Sequence, residues 1–213
     1  NEKTAEISEL FNSEALTHLN FQKYLKVAFE SSGSILKNLI RSAKLIKSFK
    51  QVAVDQTILE QRVFAIKEYI NGVILSLRSE LKRTKHKILI NCPEELVIKS
   101  HPGAFAQITT NLIMNSLLHG FEGIDQGEIK FEIKLVKKQL LFHYQDNGIG
   151  MDEKNVKQIF DPFYTTKRNQ GGTGLGMHIV YNLVTQKLNG DISCNSPLGK
   201  GVEFIIEIPL EIQ

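Results

Sequence analysis

The chain has no tryptophan, only two cysteines and five prolines among 213 residues, and little imbalance of charge. Cys92 and Cys194 have no CxxC spacing and no cluster of histidines about them, which argues against a disulfide framework or a zinc site. Both read as small buried hydrophobes, and a reducing, cytoplasmic compartment is expected. No apolar run approaches the roughly 20 residues that cross a bilayer, and the opening NEKTAEISEL does not resemble a signal peptide. No membrane contact is therefore expected from these residues, and any tether would act through other sequence. With 26 basic and 23 acidic residues, the net charge of +3 is too mild for nucleic-acid or lipid binding. What the chain does have is 42% hydrophobic residues and, at 213 residues, length enough for one sizeable domain plus an appendage, or two small domains.

Two regions follow different patterns. From Asn20 to about Val52 there is no proline, and apolar residues recur at helical spacing: Phe21, Tyr24, Leu25 and Ala28, then Ile35, Leu36, Leu39, Ile40, Ala43, Ile46 and Phe49. Lys37, Arg41, Lys44, Lys47 and Lys50 lie between them and give the helix a wet basic face. Residues 1–10, with Ile7 and Leu10, read as the end of a preceding helix, and Asn12 and Ser13 offer turn chemistry. The result is a helical hairpin over 1–55. Two helices cannot enclose a core, so a second copy is expected to complete a four-helix bundle, making a homodimer through the hairpin.

After a polar connector at 53–57, strands and helices alternate. Strands are predicted over 62–66, 87–91, 128–136, 140–145, 191–195 and 202–208, and helices over 68–81, from Ser100 and Pro102 to about His119, and over 175–188. The segments 128–136 and 140–145 alternate apolar and polar residues and form a hairpin around Lys137 and Lys138. Antiparallel strands with helices grouped apart predict an α+β layer over 56–213 rather than a doubly wound sheet.

Four motifs carry chemistry. In NLIMNSLLHG, Asn111, Asn115 and His119 recur every four residues, which stacks them on one helical face with Leu112, Ile113, Leu117 and Leu118 around the other side. A single asparagine there would most simply bond nearby backbone, but an aligned stripe favours a ligand, and amide oxygens suit magnesium. Asp146 follows a strand and precedes Gly148 and Gly150 in DNGIGM. An ionised carboxylate accepts hydrogen bonds only, so it selects a donor such as the exocyclic amine of adenine. In GGTGLGM, glycines at 172, 174 and 176 let main chain approach phosphates where a helix opens. Neither the dinucleotide fingerprint nor the GxxxxGKS phosphate loop is present. Between these motifs, FDPFYTTKRNQ reads as a lid hinged on Phe160, Phe163 and Tyr164, with Lys167 placed to reach a phosphate.

In this order the motifs resemble the ATP-binding domain of the histidine kinases of two-component signalling, most closely the nitrogen-regulation type: NLIMNSLLH its N box, DNGIG its G1 box, FDPFYTTK its F box and GGTGLGM its G2 box. The resemblance covers about 61–210, and the hairpin is similar to the second part of that family's dimerisation and phosphoacceptor region. It implies a Bergerat-type α/β sandwich, a mixed sheet with helices on one face, using ATP and Mg2+. Asp146 is implied on adenine, Asn115 and Asn111 on magnesium, and the 172–176 turn on phosphates. The implied nucleotide-contacting set also includes His119, Gly148, Gly150, Phe163, Thr165, Lys167, Gly172, Thr173, Gly174, Leu175 and Gly176, with Asn111, Asn115 and Lys167 in the catalytic roles.

The resemblance also implies a phosphoacceptor histidine with an acidic neighbour and a proline a few positions on, and a response regulator receiver domain as partner. None of His18, His86, His101, His119, His143 and His178 has that setting, so the acceptor is expected before Asn1, with His18 a hairpin-loop residue. Val202 stands where the family commonly has a threonine near the adenine, which removes one hydroxyl from that contact. Gyrase- and chaperone-type ATPases resemble the chain in the N and G1 boxes but carry a water-activating glutamate at the position of Asn111, and an amide cannot take a proton at neutral pH. The expected activity is therefore ATP-dependent protein histidine kinase. A nucleotide-sensing dimer module without kinase activity is the alternative; it would bind ATP and leave any histidine unmodified.

Overall fold

The structure, a computed structural model, describes residues 2–54, 60–167 and 172–210, with backbone only for residues 2 and 41–54. Part of the expected connector (55–57) and part of the expected lid (168–170, with Gly171) lie outside these residues. The chain divides into two compact units, Asn1–Phe49 and Lys50–Gln213.

The first unit holds α1 (Glu2–Asn12) and most of α2 (His18–Val54). The turn chemistry expected at Ser13 closes α1: its amide and its hydroxyl both donate to the Glu9 carbonyl, at 3.0 and 2.9 Å. Glu14 follows in the left-handed region at φ +55°. Thr17 caps α2 by accepting from the Asn20 amide at 3.2 Å. His18 is therefore the first residue of α2 rather than a loop residue. Along α2, Leu25, Phe29, Ile35, Leu36 and Leu39 are exposed, Phe29 at 82%. Among the described residues, much of the dry face predicted by the periodicity is exposed.

The second unit contains β1 (Arg62–Ala65), α3 (Ile66–Ser76), α4 (Arg78–Leu81), β2 (Lys87–Asn91), β3 (Val97–Ser100), α5 (Pro102–Asn115), β4 (Glu128–Val136), β5 (Gln139–Asp146), α6 (Glu153–Gln158), α7 (Gly176–Asn182), β6 (Asp191–Asn195) and β7 (Glu203–Pro209). Five strands form a sheet in the order β2-β4-β5-β7-β6, parallel at β2–β4 and antiparallel elsewhere, and β1 pairs with β3 in a separate antiparallel ribbon. The alternation that predicted the hairpin sends Ile129, Phe131 and Ile133 of β4, Leu140, Phe142 and Tyr144 of β5, and Phe204, Ile206 and Ile208 of β7 to one side. There they meet Ile66 and Ile70 of α3, Ala104, Phe105, Ile108, Leu112 and Ile113 of α5, and Met177 and Val180 of α7 in one buried cluster. This is the expected mixed α+β layer with helices on one face.

Several boundaries differ for local reasons. The helix expected over 68–81 begins at Ile66 and breaks at Leu77, where the Ser76 hydroxyl donates to the Val73 carbonyl at 2.6 Å and the Leu77 amide tightens onto Ile74. The helices that start at Pro102 and Gly176 each widen at the end into a π-helical turn, over Ser116–Gly120 and Leu183–Lys187. Strand β3 and helix α6 were not anticipated. Cys92 is buried, whereas Cys194 is only partly so; burial, and then the charge of Asp146, push the Cys194 thiol up to about 12.

Candidate functional site

Asp146 is the last residue of β5, and the period of two that buries Leu140, Phe142 and Tyr144 carries it to the helix side of the sheet, 2% exposed. A carboxylate there needs donors, and three elements supply them. Its Oδ1 accepts from the amides of Gly148 at 2.9 Å and Val202 at 3.1 Å. Its Oδ2 accepts from the Ser116 hydroxyl. The carboxylate can accept about four hydrogen bonds, so one acceptor position at Oδ2 is left for a ligand.

The G1 loop is stitched to the end of the N-box helix. Ile149 donates to the Gly120 carbonyl at 2.8 Å, and a Cβ at position 148 would lie 2.4 Å from that carbonyl oxygen, so only glycine allows the approach. Gly150 backs onto the Pro197 carbonyl, and its neighbour Ile149 accepts from Gly199 at 2.7 Å. Asp146 is thus held between the 116–120 turn, its own loop and the start of the last strand.

Asn111 and Asn115 lie on α5, and both amide oxygens approach Gly176, the first residue of α7: a Cβ there would stand 3.5 Å from Asn111 Oδ1 and 3.9 Å from Asn115 Oδ1. Asn111 Nδ2 is buried and has no hydrogen-bond partner among the described residues. Ser116 follows Asn115 directly and touches Asp146, so the amide pair and the carboxylate belong to one site. Among the described residues no three His, Cys, Asp or Glu side chains gather as a metal cluster, and amide oxygens such as these two are hard donors of a kind that magnesium takes. His119, the third member of the expected stripe, sits in the π-helical turn and not on the α-helical face. Burial, then the neighbouring Lys167, hold its imidazole below the ordinary value, with Glu122 acting weakly in the opposite sense.

The glycines of the G2 box pack against the start of the F box. Gly174 has φ +69°, and a Cβ there would lie 2.4 Å from the Phe163 carbonyl carbon. Gly172 donates to the Lys167 carbonyl at 3.1 Å and faces the Thr165 hydroxyl. Thr165 Oγ1 accepts from the Lys167 amide, and Thr173 Oγ1 from the Leu175 amide at 3.4 Å. Leu175 is buried at the N-cap of α7, and Phe163 is exposed with φ +64°. Lys167 does not stand free: its ammonium donates to the Leu118 carbonyl at 2.9 Å and pairs with Glu122 at 2.7 Å.

Reasoning from sequence missed several residues of this arrangement. Ser116 and Tyr144 join Asp146 in a buried hydrogen-bonded chain, with 2.6 Å between the two hydroxyl oxygens. Val202 contributes its backbone amide, which any residue at 202 except proline could offer. The start of the segment expected to be a lid is packed in place. Phe160 packs its ring on Tyr181 and Phe204, its carbonyl accepts from His178 Nδ1 at 3.0 Å, and the Asn182 amide caps the other ring nitrogen at 3.1 Å. That fixes the His178 tautomer with its proton on Nδ1. The spacing of His178 and Asn182, one helical turn apart, was the available signal for this pair.

Comparison with known proteins agrees with this architecture. Sensor histidine kinase RcsC of Escherichia coli (strain K12) is 28% identical over 192 residues, which is 87% of this chain and 19% of that protein, so the chain spans about a fifth of that relative. Among solved structures, the catalytic domain of histidine kinase ThkA superposes with a TM-score of 0.62 at 25% identity, covering 71% of this chain and 96% of that one. Histidine kinase ThkA in complex with response regulator protein TrrA gives 0.65 at 20% identity over 98% of this chain and 58% of that one, a likeness of fold. The profile described as histidine kinase-, DNA gyrase B-, and HSP90-like ATPase matches residues 100–212, which run from the end of β3 past β7 and so contain every site residue above, and the chain belongs to that family.

Proposed function

We propose that the second unit is the ATP-binding catalytic domain of a sensor histidine kinase, and that Asp146 receives the exocyclic amine of adenine. The observation that carries this reading is the buried Asp146 carboxylate, whose Oδ1 is satisfied by two backbone amides while Oδ2 keeps room for a donor. Asn115 and Asn111 would hold magnesium, which supplies charge neutralisation across the phosphate oxygens. The 172–176 segment, with Thr173 and Leu175, would receive the phosphates, and the buried Asn111 amide hydrogens would meet an oxygen acceptor there. Thr165, Lys167, Phe163 and His119 border the same region.

In the reaction proposed, an imidazole nitrogen attacks the γ-phosphorus, the bond to the bridging oxygen breaks, and ADP leaves. The domain's contribution is orientation and electrostatics, since phosphoryl transfer asks for little covalent help. Asn111 favours this over water activation of the gyrase or chaperone kind, because its amide cannot take a proton from water. No histidine here has the acidic and proline neighbours of an acceptor, so that group comes from elsewhere in the protein. The exposed apolar stripe of α2 fits a second copy of the hairpin, and passage of the phosphoryl group to an aspartate on a response regulator receiver domain completes the proposal.

The test is incubation of the full-length protein with γ-labelled ATP and magnesium. Label that is lost in acid and retained in base is the expected result. ATP binding without such label would favour a nucleotide-sensing module, and label as free phosphate alone would favour an ATPase.

A further inference from the structure

We propose that Ser116 and Tyr144 are positioning residues that set the base selectivity of the site by orienting the Asp146 carboxylate so that Oδ2 meets the base as an acceptor. The inference rests on the reading that Asp146 faces the nucleotide base. Ser116 is 2% exposed and Tyr144 is fully buried, so neither exchanges these contacts for water. Ser116 has one hydrogen, and the Asp146 carboxylate is an acceptor, so that hydrogen is committed to Oδ2. At the 2.6 Å contact between the two hydroxyls, Tyr144 must then be the donor. Its phenol also donates to the Leu112 carbonyl at 3.1 Å, so its one proton is shared between that carbonyl of α5 and Ser116. Burial and the nearby charge of Asp146 hold the phenol protonated.

The chain of donors therefore runs Tyr144 to Ser116 to Asp146 and ends on the same oxygen that would face a base. This has a chemical consequence. With its donors in place Oδ2 is held as an acceptor, which accepts from an amine at C6 and disfavours a carbonyl there. If the Ser116 hydroxyl is lost, Oδ2 loses its one side-chain donor, and the carboxylate is no longer held in the orientation that meets an amine.

Calorimetric titration of the whole chain with ATP and with inosine triphosphate, which carries a carbonyl in place of the amine, tests this. Ser116→Ala is expected to weaken ATP about tenfold, the loss of one charge-assisted hydrogen bond, while changing inosine triphosphate less, so that their ratio falls. Ser116→Thr, which keeps the hydroxyl, should restore the ratio. Tyr144→Phe, which keeps the ring and so the packing, should lower it in the same sense. AMP against IMP should show the same change, because the effect lies at the base and not at the phosphates. An unchanged ratio in both Ser116→Ala and Tyr144→Phe, with the ratio collapsed in Asp146→Asn, overturns this proposal alone. An unchanged ratio in Asp146→Asn as well overturns the nucleotide reading beneath it.

Discussion

Replacing Asp146 by asparagine changes one atom and separates folding from recognition. In the folded protein Oδ1 accepts two backbone amides, and an asparagine oxygen in that place accepts them equally well. The amide nitrogen then occupies the position of Oδ2, where Ser116 can rotate to accept from it. The interior therefore keeps its internal pairing, with one amide hydrogen left toward the ligand position, and stability should change by about 1 kcal/mol. Recognition fares differently, because the amide nitrogen faces the adenine amine donor to donor. Loss of a hydrogen bond to a charged group is worth about 1.5–3 kcal/mol, which is roughly a 10- to 150-fold rise in the Kd for ATP. Inosine triphosphate should gain relative to ATP, since the new amide can donate to its carbonyl. Isothermal titration with both nucleotides, beside a thermal melt, reads all three quantities. Unchanged ATP affinity in a variant that melts like the parent would remove Asp146 from the site and refute the reasoning.

Further outcomes follow from other parts of the site. Asn115→Ala should reduce the magnesium dependence of ATP binding while leaving the metal-independent affinity for adenosine intact; retention of the full dependence, measured by titration with and without chelator, would make the amide pair structural. Gly174→Ala combines a left-handed backbone, costing about 1–2 kcal/mol, with a Cβ placed 2.4 Å from Phe163, so a lower melting temperature and weaker ATP binding are expected together. His178→Ala frees the Phe160 carbonyl at the base of the lid and should raise the Kd for ATP and the proteolytic sensitivity of the 160–170 segment, with the rest of the unit unaffected. For His119, whose folded value lies below the ordinary 6.5, the unfolded chain takes up the proton first. Its contribution is whole above about pH 6.5 and is lost as pH falls through the folded value. His119→Gln should accordingly flatten the acid side of the stability profile measured by urea unfolding, leaving the part due to His86, which burial shifts in the same direction.

Much of the fold was legible because its signals are local. The alternation in 128–145 located two strands and the buried face of each, and carrying the same period one step further places Asp146 inside. The helical stripe around Leu112 and Ile113 located α5, and Pro102 its start. The β1–β3 ribbon was less legible, since Val97–Ser100 is four residues long and acquires meaning only opposite Arg62–Ala65. Helix α6 did carry a readable signal, Asp152 capping the Asn155 amide at 2.7 Å, in a stretch too short for hydrophobic periodicity. In the site, the amide pair and the carboxylate could be named from their motifs. The connection between them could not: Ser116 reads as one more small residue in an apolar helix until β5 brings Tyr144 and Asp146 against it from about 30 positions away in the chain. The π-helical turn that takes His119 off the asparagine face likewise arises from tertiary bonds, with the Gly120 carbonyl drawn to Ile149. Lys167 was identifiable as a cation near the site, but its pairing with Glu122 across the lid was not, because surface charge pairs follow no sequence period.

The central claim, that these residues form an ATP site, is tested most directly by a crystal structure of the protein with magnesium and a non-hydrolysable ATP analogue. The account predicts the adenine amine within hydrogen-bonding distance of Asp146 Oδ2, a magnesium ion on the amide oxygen of Asn115, and phosphates along residues 172–176. An analogue bound elsewhere, or one whose base turns away from Asp146 while its phosphates lie on the sheet's outer face, would contradict it.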